Sequence, residues 1–298
     1  NFPGAAMEVD PNDLHIAYAG YQNFFKSVDF GDPGTFNKTT GFTDNMTFDA
    51  IEVAPGNTQI IYASRSELLV GGAVNAMVIR SSTGGNSFAN ISGNGLPNKT
   101  VTGFAIDPNN ADRVWVTLQN SAGQTVYRTE NHGQSWTNFT GSLTTTSAHA
   151  IVYQRGTNDG LYVATNAGVF FRDASMGDWT PFSQNLPNAV VSDLAINYAS
   201  GELRAATYGR GVWKTLLPGT TLNALLNIST RLQVGTGDNA LIGGFILSGP
   251  GNKTVLLRAI GPSLSSFFSN DMDNPTLELR DSQGNLRAAE RNRGQSIS

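Results

Sequence analysis

The chain has no cysteine, which excludes disulfide staples and thiolate metal sites. It holds only five lysines in 298 residues and carries a net charge of −4. That argues against a nucleic-acid surface, because phosphate binding needs clustered cations. No apolar run approaches the length of a membrane span; the longest, around Leu241 to Leu247, is broken by glycines. No secretory leader is visible at Asn1. Segments with helical periodicity are nearly absent. The three histidines, His15, His132 and His149, lie far apart without ligand spacing, so no zinc site is expected. The glycine-rich stretches read as hairpin turns rather than phosphate cradles, and no cofactor is expected.

What is present is glycine, at 33 residues, with Asn, Ser and Thr filling much of the remainder, and only 14% charged residues. That is the profile of many short strands joined by tight turns, an all-β chain. Seven Asn-x-Ser/Thr sequons occur, at Asn37, Asn45, Asn90, Asn98, Asn138, Asn227 and Asn252. They are glycosylation acceptors or coincidences of composition.

A small polar box ending on an aromatic recurs four times. The clearest runs from Thr129 through Asn131 and Gly133 to Trp136; a second runs from Ser81 through Thr83 and Gly85 to Phe88. A third, stretched, runs from Ser27 through Asp29 and Gly31 to Phe36, and an eroded fourth ends at Asp178-Trp179. The aromatics are spaced by 52, 48 and 43 residues. A second series has the same period: strands running into the turns at Asp10-Pro11-Asn12, Pro55-Gly56-Asn57, Asp107-Pro108-Asn109, Gln154-Arg155-Gly156 and Asn197-Tyr198. Such periods mean a repeat architecture.

Within one period, Val101–Ile106, Arg113–Thr117, Gln124–Thr129 and Trp136–Thr140 read as four antiparallel strands, the blade of a β-propeller. The third box residue is placed to accept backbone N–H bonds, the glycine to take a positive φ, and the aromatic to fill space between blades. These boxes resemble the Asp-box, or BNR, repeats of sialidases, sortilin-type receptors and xyloglucanase-type glycoside hydrolases of family 74. The resemblance covers residues 1 to about 216, with support from Gly160–Phe170, Leu96-Pro97, Leu186-Pro187 and Ala206–Lys214. It departs from the pattern in that Asp is kept only at Asp29, with Thr83 and Asn131 replacing it. In that family the box lies on the outer rim, away from the axial site.

Residues 6–47, 48–99, 100–144 and 145–186 make four blades, and 187–216 supply three further strands without a box. Propellers usually need more blades, so further blades are expected upstream; a five-bladed ring is the alternative. Residues 217–222 read as a linker. From 223 to 298, strands are expected at Leu225–Val234, Ala240–Leu247, Thr254–Ile260 and Thr276–Arg280, the start of a β-sandwich-like module. That stretch resembles a β-rich module at the C-termini of large bacterial exported proteins, and the resemblance implies a module that runs further than Ser298. Its open sheet edge, near Leu277, is a candidate contact with a neighbouring subunit.

Glycoside hydrolysis needs two carboxylates across a cleft. Asp49 and Asp193, each at the start of an inner strand, are the pair to nominate; the plain alternative is that they cap strand ends or line a solvated channel. Sialidase chemistry needs three clustered arginines. Arg65, Arg80, Arg128, Arg172 and Arg210 are available, but Arg80, Arg128 and Arg172 precede boxes and face the outer blade surface. Asp271, Asp273 and Asn274 are either a calcium cluster or a polar loop. The reading is of a secreted or cell-surface, non-catalytic platform for glycan or protein ligands, with Tyr18, Tyr21, Phe24 and Tyr208 as candidate sugar-stacking rings; the plain alternative, favoured for most of them, is that they belong to the core. A polysaccharide-acting glycoside hydrolase and a subunit of an extracellular assembly are the alternatives.

Overall fold

The computed structural model describes residues 5–119, 123–144, 146–218, 257–258, 276–281, 283–291 and 296–297. The chain divides into two compact units, Asn1–Thr220 and Thr221–Ser298. No helix occurs among the described residues.

The first unit is a radial series of antiparallel sheets. The first holds β1 (Ala6–Val9), β2 (Ala17–Gly20), β3 (Phe24–Ser27) and β4 (Asn37–Thr40). The second holds β5 (Thr47–Val53), β6 (Ile61–Leu68), β7 (Val74–Ser81) and β8 (Ala89–Asn90). The third holds β9 (Val101–Asp107), β10 (Asn110–Leu118), β11 (Val126–Thr129) and β12 (Thr137–Asn138). The fourth holds β13 (Ala148–Tyr153), β14 (Leu161–Thr165), β15 (Gly168–Arg172) and β16 (Thr180–Pro181). The fifth has three strands, β17 (Val191–Asn197), β18 (Glu202–Thr207) and β19 (Gly211–Leu216). Within each sheet the strands pair in chain order, as blades of a propeller do. The first strands of successive sheets are neighbours, so they line the axis.

The core lies between blades rather than inside them. Tyr18 and Phe24 of the first blade pack with Phe48, Ile51 and Ile79 of the second. Tyr62 and Val78 of the second pack with Phe104, Val116 and Trp136 of the third. Trp115 and Val126 of the third pack with Ile151, Val163 and Trp179 of the fourth. Tyr162 and Val169 of the fourth pack with Leu194 and Leu203 of the fifth. Each closing aromatic from the second blade on therefore packs on the blade before it. Trp136 Nε1 donates to Ile91 O at 3.2 Å and Trp179 Nε1 to Phe139 O at 3.1 Å, both carbonyls just beyond the preceding blade's outer strand. Phe36, in the first blade, is half-buried against Gly31.

The boxes are built on their first residue more than on their third. Ser27, Ser81 and Thr129 are buried, and each hydroxyl accepts two backbone N–H bonds, from Asp29 and Gly31, Thr83 and Gly85, and Asn131 and Gly133. The third residue accepts one further N–H in two boxes, Thr83 Oγ1 from Ser87 and Asn131 Oδ1 from Ser135. Asp29 is exposed, and the side-chain bond in its box joins Ser27 to Thr35 instead. The glycines Gly31, Gly85 and Gly133 have φ of 76°, 87° and 91°. A Cβ on Gly85 would lie 2.4 Å from the Phe24 ring, so glycine there serves blade packing as well as the turn.

The outer strands are shorter than the expected Trp136–Thr140, for a local reason. Asn138 Oδ1 accepts Thr140 N, and Asn90 Oδ1 accepts Ser92 N, turning the chain away. The hydroxyl that follows then bonds back to the third strand: Ser92 to Val78, Thr140 to Val126 and Ser183 to Val169. The sequons at Asn90 and Asn138 thus have a structural use in the blade edge.

In the second unit, β20 (Leu257–Arg258) pairs with β23 (Ser296–Ile297), and β21 (Thr276–Arg280) pairs with β22 (Leu286–Arg291). The turn between β21 and β22 is held by Asp281 Oδ1, which accepts from Gln283 N and Asn285 N. The expected strands Leu225–Val234 and Ala240–Leu247, most of the 217–222 linker and the Asp271, Asp273, Asn274 cluster lie outside the described residues.

Candidate binding face

One end of the axis is organised by a repeated device. In four blades the inner strand carries a bulge near its start, with one residue left out of register with the second strand: Asp49, Thr102, His149 and Ser192. Bulges bend a strand and re-aim a side chain. In three blades the hairpin turn after the second strand reaches back to the residue two before the bulge. Gln119 N donates to Thr100 O, Asn166 N to Ser147 O and Tyr208 N to Val190 O. The bulges also sit at one level around the axis. Thr102 Oγ1 donates to Ala148 O, next to His149, and Ser64 Oγ, opposite Ala50, donates to Val101 O, next to Thr102.

The same end exposes large apolar side chains on those turns. Tyr21 is 41% exposed and Tyr208 81% exposed, and Leu68, Leu69 and Val70 cap the hairpin of β6 and β7. Of the four candidate rings, Tyr18 and Phe24 are fully buried between the first two blades, the core alternative. Their place in the strands, with alternate residues facing the next blade, put them in the core.

Asp49 and Asp193 do not share one environment. Asp49 is half-buried; its Oδ1 accepts Ser66 Oγ at 2.7 Å. Burial pushes its carboxyl up to about 6, with Ser66 and Arg65 pulling the other way. Asp193 is exposed, its Oδ1 accepts Leu194 N, and its charge acts on Glu8. The five arginines are likewise dispersed. Arg65 is fully buried on Asp44, Arg80 reaches Tyr62 and Asp112, Arg128 and Arg172 stack on Phe139, and Arg210 is exposed on the Tyr208 turn. His15 pairs with Asp13, and His132 lies in its box turn with φ of 49°. Among the described residues no group of three or more His, Asp or Glu side chains could hold a metal ion.

Sequence reasoning missed a second set of axial carboxylates. Glu8 of β1 and Glu52 of β5 stand where the third, fourth and fifth inner strands have Ala105, Val152 and Ala195. A charge alternating with apolar residues in the Met7-Glu8-Val9 and Ile51-Glu52-Val53 copies was the available signal. Burial, then Asp10, then Asp193, push Glu8 up to about 7. Burial and Glu8 push Glu52 up, with Arg155 opposing. A carboxyl raised on folding holds a proton that the unfolded chain has already lost. Its contribution is therefore intact at acid pH and declines as pH rises from about 4.5 to about 7. Glu8→Gln is expected to leave urea stability unchanged at pH 4 and to raise it by about 2 kcal/mol at pH 8.

No protein-family model matches the chain, and no curated protein matches it in sequence. Solved structures do resemble it. The GH74 xyloglucanase from Xanthomonas campestris superposes with a TM-score of 0.51 at 16% identity, over 70% of this chain and 35% of that one. The chain thus spans about a third of that enzyme's length. A luciferin-regenerating enzyme gives 0.53 at 10% identity, over 72% and 78%. The extracellular domain of BT4673 from B. thetaiotaomicron gives 0.50 at 14%, over 74% and 27%. The first unit is a β-propeller. At these identities the likeness is of fold alone. No helix is long and apolar enough to cross a membrane among the described residues.

Proposed function

We propose that this chain is part of a secreted or cell-surface protein whose propeller is a non-catalytic platform for glycan or protein ligands. The working face is the end that carries the bulges and the exposed turns. The observation that carries this reading is the meeting there of polar inner-strand side chains with Tyr21, Tyr208 and the Leu68–Val70 tip. Rings beside hydrogen-bonding groups are the usual makings of a ligand surface. The box geometry supports kinship with Asp-box repeats, and the 223–298 stretch is read with it as a β-rich module of exported proteins.

A second reading, a glycoside hydrolase acting on polysaccharide, is favoured by Glu8. Its raised carboxyl stays partly protonated near neutral pH while the Asp193 charge acts on it, an acid-and-base division of the kind glycosidases use. The two readings separate in one experiment. The chain is run through native gels containing soluble neutral polysaccharide, and the same polysaccharide is assayed for new reducing ends. The platform reading expects retardation, weakened about tenfold in Tyr208→Ala and Tyr21→Ala, without reducing ends. Release of sugar that Glu8→Gln or Asp49→Asn abolishes would establish the hydrolase instead.

A further inference from the structure

Buried polar atoms almost always find a partner, and leaving one without costs about 1–3 kcal/mol. Among the described residues several side-chain atoms are buried without a protein partner. They include the Nε atoms of Arg65, Arg128 and Arg172, whose guanidinium groups stack on Phe42 and Phe139, and Asp10 Oδ2, Tyr18 Oη and Trp115 Nε1, none of them on a bulge residue. The remaining two, Asp49 Oδ2 and His149 Nε2, stand apart by their place in the fold. Both belong to bulge residues, in blades two and four, at the same level of the same axial end. Thr102, the bulge residue of blade three, stands between them, and Ser192 of the fifth sheet is exposed beside them. Asp49 and His149 are only partly buried as residues.

The chemistry of this arc narrows the ligand. It offers a carboxylate, an imidazole and two hydroxyls. The nearest guanidinium, Arg65, is committed to Asp44, Met46 O and Gln22 O, and the exposed Asp193 lies next to Ser192. Arg210 is exposed at the tip of the Tyr208 turn and stands outside the arc, whose own four side chains include no arginine or lysine, and among the described residues no set of three ligands is present for a metal. Thr102 Oγ1 already donates to Ala148 O and Ser192 Oγ to Ala206 O, so with Asp49 the arc presents mainly acceptors, which match the hydroxyl donors of a neutral sugar. Tyr21 and Tyr208 on the flanking turns offer ring faces to the next residues of a chain.

We propose that Asp49, Thr102, His149 and Ser192 form a subsite at the axial mouth that takes the end of an uncharged glycan chain. This rests on the platform reading and names its ligand class and polar contacts. The test is calorimetric titration of the whole chain with cellohexaose and with hexagalacturonide. Cellohexaose is expected to bind at least tenfold more tightly than the acidic hexamer. Asp49→Asn and His149→Gln, near-isosteric changes whose folding is checked by thermal unfolding, are each expected to weaken it about tenfold. The His149 ring proton signals are expected to shift as sugar is added. Cellohexaose binding that falls in Tyr208→Ala but is untouched in both polar variants would overturn the subsite and leave the platform standing. Absence of cellohexaose binding, or tighter binding of hexagalacturonide, would also overturn it. Retardation of the chain by polysaccharide in gels, lost in Tyr208→Ala, would still decide the platform separately.

Discussion

Trp136→Ala is expected to remove about 4 kcal/mol of stability. The ring is buried in the cluster that joins the second and third blades, and its Nε1 holds Ile91 O. Its loss opens a cavity between two sheets that have few other ways to close, and it leaves a carbonyl short of a donor. Trp136→Phe keeps a ring in the gap and is expected to cost less than half as much. Trp213→Ala is the control. Trp213 lies on β19, where every residue is exposed, so its loss is expected to cost under about 1 kcal/mol. Urea unfolding of the three variants measures the difference. Equal costs for Trp136→Ala and Trp213→Ala would show that the box aromatics do not lock the blades.

The second large effect concerns Arg65, which is fully buried between the first two blades. Its guanidinium makes two bonds to Asp44, at 2.6 and 2.9 Å, and donates to Met46 O and Gln22 O. It lies 3.8 Å from the centre of the Phe42 ring. Removing Asp44 leaves that charge buried without its counter-ion. Asp44→Ala is expected to cost about 3 kcal/mol, at the low end for a broken buried pair because Asp44 itself reaches solvent. The pH dependence has a definite sign. The Arg65 bonds hold the Asp44 carboxyl below its ordinary value. The stabilisation is therefore present above the unfolded value of 3.8 and is lost as pH falls through the folded one. Wild type is expected to lose stability between about pH 4 and pH 2 more steeply than Asp44→Asn. Parallel acid profiles would show that the pair carries no such linkage.

The blades were legible in the sequence because their markers repeat. Turn residues such as Asp107-Pro108-Asn109 and aromatics such as Phe88 and Trp136 recur at one period, and period is visible without knowing any contact. The hydroxyls of Ser81 and Thr129 were harder to read, since serine and threonine are common everywhere in this chain. What fixes their role is burial, which only the packed blade shows. Whether Tyr18 and Phe24 belong to the surface or the core was open in the sequence for the same reason; packing puts both in the core, while Tyr21, three residues from either, is on a turn and does reach solvent.

The bulges were not legible, because register is a property of two strands and not of one. Asp49 was singled out for its carboxylate, whereas Thr102, His149 and Ser192 carry no motif of their own. In retrospect the four positions are separated by 53, 47 and 43 residues, close to the spacing of the closing aromatics. Each directly follows a buried apolar residue: Phe48, Val101, Ala148 and Val191. Aligning the repeats on Trp136 and its equivalents would have brought these four into one column. The sites differ chemically from blade to blade while the scaffold does not, as expected when function is grafted onto a repeat.

The most direct test of the functional claim is to map where sugar touches the propeller. Amide and side-chain NMR shifts of the isotope-labelled chain are followed during titration with cellohexaose. The expected changes gather at Tyr21, Asp49, Leu69 to Gly71, Thr102, His149, Ser192 and Tyr208, with the boxes at Ser27, Ser81 and Thr129 silent. Changes confined to the boxes or to the opposite end, around Pro55 and Pro108, would contradict a binding face at the bulged end of the axis.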